Sequence, residues 1–394
     1  MISDKLMKLV NGNSAIRAMF EEGKRLSSIY GEENVFDFSI GNPNVEPPKE
    51  IKDIIHKIIN NENSNFIHGY MNNSGYEDVR EVVASSINKK ESLNLNKDNI
   101  IMTCGAAGGL NIVLKTILNK NDEVIIFKPY FSEYINFVDN FDGKVKIINC
   151  DLETFQPDIE EFKKSINENT KAVIINTPNN PSGVIYSEEI LKSISEILKD
   201  KEKKYKSDIY LISDEPYREI VYDGESVPCI LQYYNNSFIC YSYSKSLSLP
   251  GDRIGYIVVN NYIKDFNLII SAINISNRIL GFVNAPSLFQ RVIKEAIDIK
   301  VDSNIYKKNR DLLYNHLTSI GFECLKPKGT FYLFPKSPID EDVKFCEEAK
   351  KYNILVVPGS AFGCPGHFRV SYCVSYDKIK KSLGAFDKLI KQYK

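Results

Sequence analysis

Lys245 sits in the string Ser242-Tyr243-Ser244-Lys245-Ser246-Leu247-Ser248-Leu249-Pro250-Gly251-Asp252-Arg253, directly after the apolar run Phe238-Ile239-Cys240-Tyr241. With that run as a strand, Lys245 stands at its C-terminal end, where open α/β sheets present their ligand-binding groups. A lysine in such a crevice can join an aldehyde as an imine. Arg253 follows a Pro-Gly turn, so the chain can bring a guanidinium back beside the lysine. The hydroxyls of Ser242 and Ser244 and the planar fork of Arg253 can then share the charge of a phosphate.

Other strings add compatible chemistry. In Ile212-Ser213-Asp214-Glu215-Pro216-Tyr217, an aspartate closes a second apolar run. A buried carboxylate there needs a cationic partner, because leaving it unpaired is costly. Asn176-Thr177-Pro178-Asn179-Asn180-Pro181-Ser182-Gly183 has the composition of a turn. Thr103-Cys104-Gly105-Ala106-Ala107-Gly108-Gly109-Leu110 is a small-residue turn between a strand and a helix. Backbone N–H groups exposed at such a helix start can cradle a phosphate, although the string matches neither the P-loop nor G-x-G-x-x-G. Near the C-terminus, Arg369 in Phe368-Arg369-Val370-Ser371 offers a guanidinium able to grip a carboxylate at two points.

The elements that must position these groups are legible as alternating patterns. Short β-rich runs begin at Ile100, Val124, Val145, Ala172, Ile209, Phe238 and Tyr256, several of them apolar at successive positions. That pattern suits strands covered on both faces. Helical patterns lie between many of them, including 109–118 and 188–198, the latter with Ser187 as its N-cap. Alternation of this kind predicts a mostly parallel, seven-stranded α/β sheet with helices on both sides. After Pro286 the pattern changes. Residues 288–311 read as one extended helix, 330–334, 354–357 and 368–371 as strands of a smaller α+β unit, and 376–393 as a closing helix. The expected division is a large domain over 47–286 and a small one from 1–46 and 287–394.

Composition narrows the function classes. Of 394 residues, 43% are hydrophobic and 26% charged, as in a soluble globular protein. Fifty basic against 51 acidic residues leave a net charge of -1, which gives no electrostatic case for nucleic acid or an anionic membrane as partner. The eight cysteines form no C-x-x-C pair and have no histidine cluster beside them. They read as free thiols in a reducing compartment rather than metal ligands. The N-terminus has no secretory pattern, and no run approaches the length of a membrane span, so a cytoplasmic protein is expected.

Taken together, the strings around Lys245, Asp214, Asn180, the 103–110 turn and Arg369 resemble the class I and II aminotransferases, enzymes of the fold-type I pyridoxal-5′-phosphate (PLP) superfamily. The resemblance extends over nearly the whole chain. It implies that Lys245 holds PLP as an imine and shuttles the substrate proton, that Asp214 pairs with the ring nitrogen, and that Tyr217 and Asn180 hydrogen-bond the ring's phenolic oxygen. By the same resemblance Phe131 stacks on the ring. The phosphate takes Ala106 and Ala107 N–H groups, Ser242, Ser244, Arg253 and, from the neighbouring subunit, Tyr70. Arg369, Gly41 and Asn180 meet the substrate. The implied enzyme is a homodimeric transaminase with active sites at the interface, exchanging an amino group between an L-amino acid and a 2-oxo acid by ping-pong kinetics.

An aspartate-using branch similar to this chain carries a lysine at the position of Ala107, and that lysine is absent here. Arg278 lies near, but offset from, an arginine that dicarboxylate-specific relatives keep. A carbon–sulfur β-lyase on the same scaffold is the alternative activity. A transcription regulator would need an added N-terminal module that the short stretch before Gly41 does not provide. A non-catalytic binding protein would not need Lys245, Asp214, Asn180 and Arg253 together.

Overall fold

The computed structural model describes residues 2–11 and 15–394; within the stretch 1–46, residues 1 and 12–14 lie outside the described residues. The strands, in chain order, are β1 (Phe36–Asp37), β2 (Ile100–Thr103), β3 (Glu123–Phe127), β4 (Lys144–Ile148), β5 (Thr170–Asn176), β6 (Tyr210–Asp214), β7 (Ser237–Ser242), β8 (Gly255–Val259), β9 (Tyr332–Leu333), β10 (Ile354–Leu355), β11 (Val357–Pro358) and β12 (Phe368–Ser371). Seven of them form one sheet in the order β2-β8-β7-β6-β5-β3-β4. β8 runs antiparallel to both neighbours, and the remaining adjacent pairs are parallel.

The successive apolar positions have a direct cause. β2, β6, β7 and β8 are buried at every residue. Side chains alternate across a strand, so Ile125, Val173, Leu211, Ile239 and Val258 enter one core, and their neighbours Ile126, Ile174, Ile212, Cys240 and Ile257 enter the other. Both layers exclude water, and both faces must therefore be apolar. At the C-terminal edge the register sets Asn176 opposite Asp214, and Asp214 opposite Cys240. The polar ends of three parallel strands thus meet in one crevice.

A second core is rich in aromatic rings, among them Phe38, Tyr306, Phe331, Phe345, Phe368 and Phe386. Its antiparallel sheet has the order β11-β12-β9, while β1 pairs in parallel with β10. That pairing carries the segment after β1, including Ser39 and Gly41, to the C-terminal part of the chain.

The single helix expected over 288–311 is two helices, Ser287–Ala296 and Asn304–Ser319. Between them the Val301 N–H donates to the Ser246 carbonyl at 3.0 Å, and the Asp302 carboxylate accepts from the Asn304 N–H at 3.0 Å. The backbone leaves the helix to bond the turn that carries Lys245, an override that local pattern does not announce. Val292, Ile293 and Ala296 pack with Ile51, Ile58, Val79 and Val83, so the first of these helices lies with the larger sheet. The helix expected from residue 109 begins earlier and spans Gly105–Ile117. Its glycines serve close packing: a Cβ on Gly109 would come within 3.2 Å of Ile257. All eight cysteines are free. Among the described residues no helix is long and apolar enough to cross a membrane.

The β7–β8 contact is tight enough to test. A Cβ on Gly255 would overlap the Tyr241 carbonyl oxygen and reach 3.0 Å from the Gly105 Cα, whereas Gly251 has open space around it. Gly255→Ala is expected to cost about 1–3 kcal/mol and to lower the melting temperature, with Gly251→Ala close to the parent. Equal melting of both variants would contradict this packing.

Candidate active site

The site is built from the C-terminal ends of β5, β6 and β7, the start of helix Gly105–Ile117, and β12 of the second core. Ser242 closes β7 and caps the short helix Tyr243–Ser246, its hydroxyl accepting from the Ser244 N–H at 3.2 Å. This cap turns the chain so that Lys245 enters the cleft. The Lys245 amine donates to the Gly41 carbonyl at 2.7 Å and lies 5.3 Å from the Phe331 ring centroid. Burial, aided by Arg369 and Arg253, lowers its pKa from 10.5 to about 8 against a smaller opposing effect of Cys373. A lysine depressed in this way has an appreciable neutral, nucleophilic fraction near neutral pH.

Asp214 ends β6. Its Oδ2 accepts from the Tyr134 hydroxyl at 2.6 Å, and its Oδ1 is buried with no hydrogen-bond partner. Burial raises the carboxyl to about 7; the Tyr134 bond works in the opposite direction, and Glu215 adds to the rise. Buried acceptors are nearly always bonded in folded proteins, and Asp214 lines the cleft, so this lone oxygen points to a missing donor cation.

Asn180 is fixed from two sides: its N–H donates to Asn176 Oδ1 at 2.7 Å, and its own Oδ1 accepts from Arg369 at 2.9 Å. Those bonds leave the amide –NH2 as a donor for the cleft. Arg369, on β12, also donates to the Ser39 carbonyl at 2.6 Å. Its guanidinium lies 4.5 Å from the Tyr332 ring centroid and 4.7 Å from that of Phe362. Its Nε is buried without a partner. The Tyr217 and Tyr332 hydroxyls are 2.9 Å apart. Phe131 meets Tyr134 edge-on with centroids at 5.6 Å.

At the other end of the cleft, the Ser242 and Ser244 hydroxyls are 2.7 Å apart. Arg253 donates to the Pro250 carbonyl at 3.0 Å and the Cys104 carbonyl at 3.2 Å. Gly105 has φ +75°, and a Cβ there would stand 3.0 Å from the Arg253 guanidinium. Glycine thus lets the helix start, with Ala106 and Ala107 in its first turn, approach the arginine and form an anion cradle.

The cleft has a volume of about 350 Å³, and every site residue expected from the sequence lines it except Tyr70. Tyr70 is 92% exposed. Arg278, near the end of helix Phe266–Ile279, is exposed and outside the cleft. Sequence reasoning missed Tyr134, Asn176 and Tyr332. Asn176 carried a usable signal, since it is polar at the end of an apolar run as Asp214 is. Tyr134 lies one helical turn beyond Phe131, and Tyr332 was hidden in a run that reads simply as a strand.

The sequence model of the family described as "Aminotransferase class I and II" matches residues 33–386. A probable aspartate aminotransferase of Methanocaldococcus jannaschii is 31% identical over 382 residues, covering 94% of this chain and 95% of that protein. A probable N-acetyl-LL-diaminopimelate aminotransferase of Bacillus subtilis is 30% identical over 365 residues, covering 89% and 88% respectively. Among solved structures, an amino transferase from Eubacterium rectale matches with a TM-score of 0.97 and 44% identity, covering 100% of this chain and 99% of that one.

The two shifted groups set opposite pH slopes in the ligand-free protein. Between about 4 and 7 the native Asp214 keeps a proton that the unfolded chain has released, so stability falls as pH rises. From about 8 to 10.5 the native Lys245 has released a proton that the unfolded chain keeps, so stability rises. Thermal melts against pH are expected to show these groups producing a minimum between about 7 and 8. Asp214→Asn should flatten the lower limb and Lys245→Met the upper; limbs unchanged in both variants would refute the assignment.

Proposed function

The chain belongs to the class I and II aminotransferase family and is a transaminase, and from that premise we propose that its cleft holds PLP through Lys245, Asp214 and the 105–107 turn. Enzymes of this family use PLP. The observation that carries the proposal is the unpartnered Oδ1 of Asp214, a residue that lines the same cleft as a lysine with a depressed pKa.

The residues fit the cofactor end to end. Lys245 would hold the aldehyde carbon. Asp214 Oδ1 would accept from the protonated ring nitrogen, and that cation would draw the carboxyl back down into its ionised form. Tyr217 and the Asn180 amide would donate to the ring oxygen, and Phe131 would cover the ring face. Ser242, Ser244, Arg253 and the N–H groups of Ala106 and Ala107 would share the phosphate. When bound, PLP supplies an aldehyde that condenses with amines and a cationic ring that withdraws electrons from the substrate's α-carbon.

Arg369 would orient an α-carboxylate, using its free Nε N–H and the face of its fork beside Asn180 and Ser39. The Gly41 carbonyl holds the Lys245 amine on that same side. Held there, the Lys245 amine would be the base placed to move the substrate's α-proton. Tyr70, exposed and away from this cleft, would serve the cleft of a second subunit in a homodimer. The free thiols support a reducing, cytoplasmic setting. The two relatives named above carry different substrate names, and Ala107 brings no charge to the cleft.

Protein loaded with PLP is expected to absorb visible light, to be bleached by an amino acid donor and to recover its colour with a 2-oxo acid. Lys245→Ala should lose turnover by roughly 10²–10⁴-fold or more. Arg369→Lys should raise KM for the amino acid about tenfold or more while kcat changes less, because the two-point grip is lost. Full turnover in Lys245→Ala would end the proposal.

A further inference from the structure

Tyr332 stands between Tyr217 and Arg369 in the wall of the cleft. Its hydroxyl is 2.9 Å from that of Tyr217, and its ring packs edge-on to Tyr217 with centroids at 5.8 Å. The same ring lies 4.5 Å from the Arg369 guanidinium, with Phe362 at 4.7 Å as another wall. A side chain at Gly41 would overlap the Tyr332 hydroxyl. The Tyr332 hydroxyl thus dictates a glycine at the position whose carbonyl holds Lys245.

We infer that Tyr332 is a positioning residue that couples the cofactor side of the cleft to the substrate side: its hydroxyl donates to Tyr217, aiming the Tyr217 proton at the cofactor's ring oxygen, while its ring keeps the Arg369 guanidinium flat for the α-carboxylate. The inference rests on the cofactor placement proposed above. The direction of the bond follows from proton count. A phenol has one proton, so a Tyr217 that donates into the cleft can only accept from Tyr332. Among the described residues, the Tyr332 hydroxyl has no acceptor other than Tyr217. Its burial raises its pKa and Arg369 partly reverses this, so the neighbouring cation makes Tyr332 a better donor than burial alone would. A hydroxyl that both accepts and donates is polarised and gives its proton more strongly. Tyr332 therefore favours the ionised ring oxygen, and with it the readily deprotonated form of the lysine linkage.

Two variants of PLP-loaded protein separate the roles. Tyr332→Phe removes only the hydroxyl, and Tyr332→Met removes the ring as well. Two readouts are independent of turnover: the midpoint of the visible-absorbance pH titration without substrate, and the affinity for 2-aminoisobutyrate, an amino acid with no α-proton, followed by absorbance. Tyr332→Phe is expected to raise the midpoint by roughly half to one pH unit and to leave 2-aminoisobutyrate affinity within about twofold. Tyr332→Met should raise the midpoint similarly and weaken 2-aminoisobutyrate by about fivefold or more. A Tyr332→Phe midpoint equal to the parent's would overturn the hydroxyl role, and parental affinity in Tyr332→Met would overturn the ring role. Circular-dichroism melts verify folding, and the Phe variant decides the hydroxyl role even if the Met variant fails to fold. A parent protein that takes up no PLP colour would instead defeat the proposed function, a result distinct from either of these.

Discussion

A carboxylate stands at the end of a fully buried strand with one oxygen bonded and the other bare, and the rest of the site is arranged around that imbalance. Desolvation alone would neutralise Asp214, and Tyr134 offsets only part of the effect. The sheet makes the position unavoidable. β6 is central and parallel to both its neighbours, so its last residue opens into the crevice with apolar layers above and below. Such a group is stable only if a cation is brought to it. A fold that retains it is built to receive one.

Lys245 is the complementary case, a cation held where water is scarce. Its amine is satisfied by a backbone carbonyl rather than a carboxylate, which leaves it uncompensated in charge and depressed in basicity. Asp214 and Lys245 are thus driven toward neutrality by the same burial, from opposite directions. Separate elements, β6 and the turn after β7, hold them in a shared cleft, while Arg369 reaches that cleft from another core. The chemistry of each group comes from its surroundings more than from its residue type.

Much of this was legible in the residues. The runs beginning at Ile100, Val124, Ala172 and Tyr256 announced strands because burial on both faces forces apolar residues at successive positions. Asp214 and Lys245 were legible because they follow the runs beginning at Ile209 and Phe238, and Arg253 because a Pro-Gly turn brings it back beside that lysine. The break between residues 296 and 304 was not, because a hydrogen bond to Ser246 from far along the chain produces it, and helical periodicity contains no term for that bond. Tyr134 and Tyr332 were hidden for a related reason. A tyrosine in a core helix or strand has the same local pattern whether its hydroxyl meets solvent, a backbone carbonyl or Asp214.

The bond from Arg369 to the Ser39 carbonyl spans 330 positions of sequence. A chain emerging from the ribosome therefore displays its N-terminal contribution to the cleft long before the arginine exists to receive it. The large sheet, whose last strand ends at Val259, can be complete before Tyr332 and Arg369, which line the cleft with Lys245 and Asp214, have been translated. Contacts this distant are late and slow to form. A newly made polypeptide thus passes through a stage in which its reactive amine is built before the arginine that faces the same cleft.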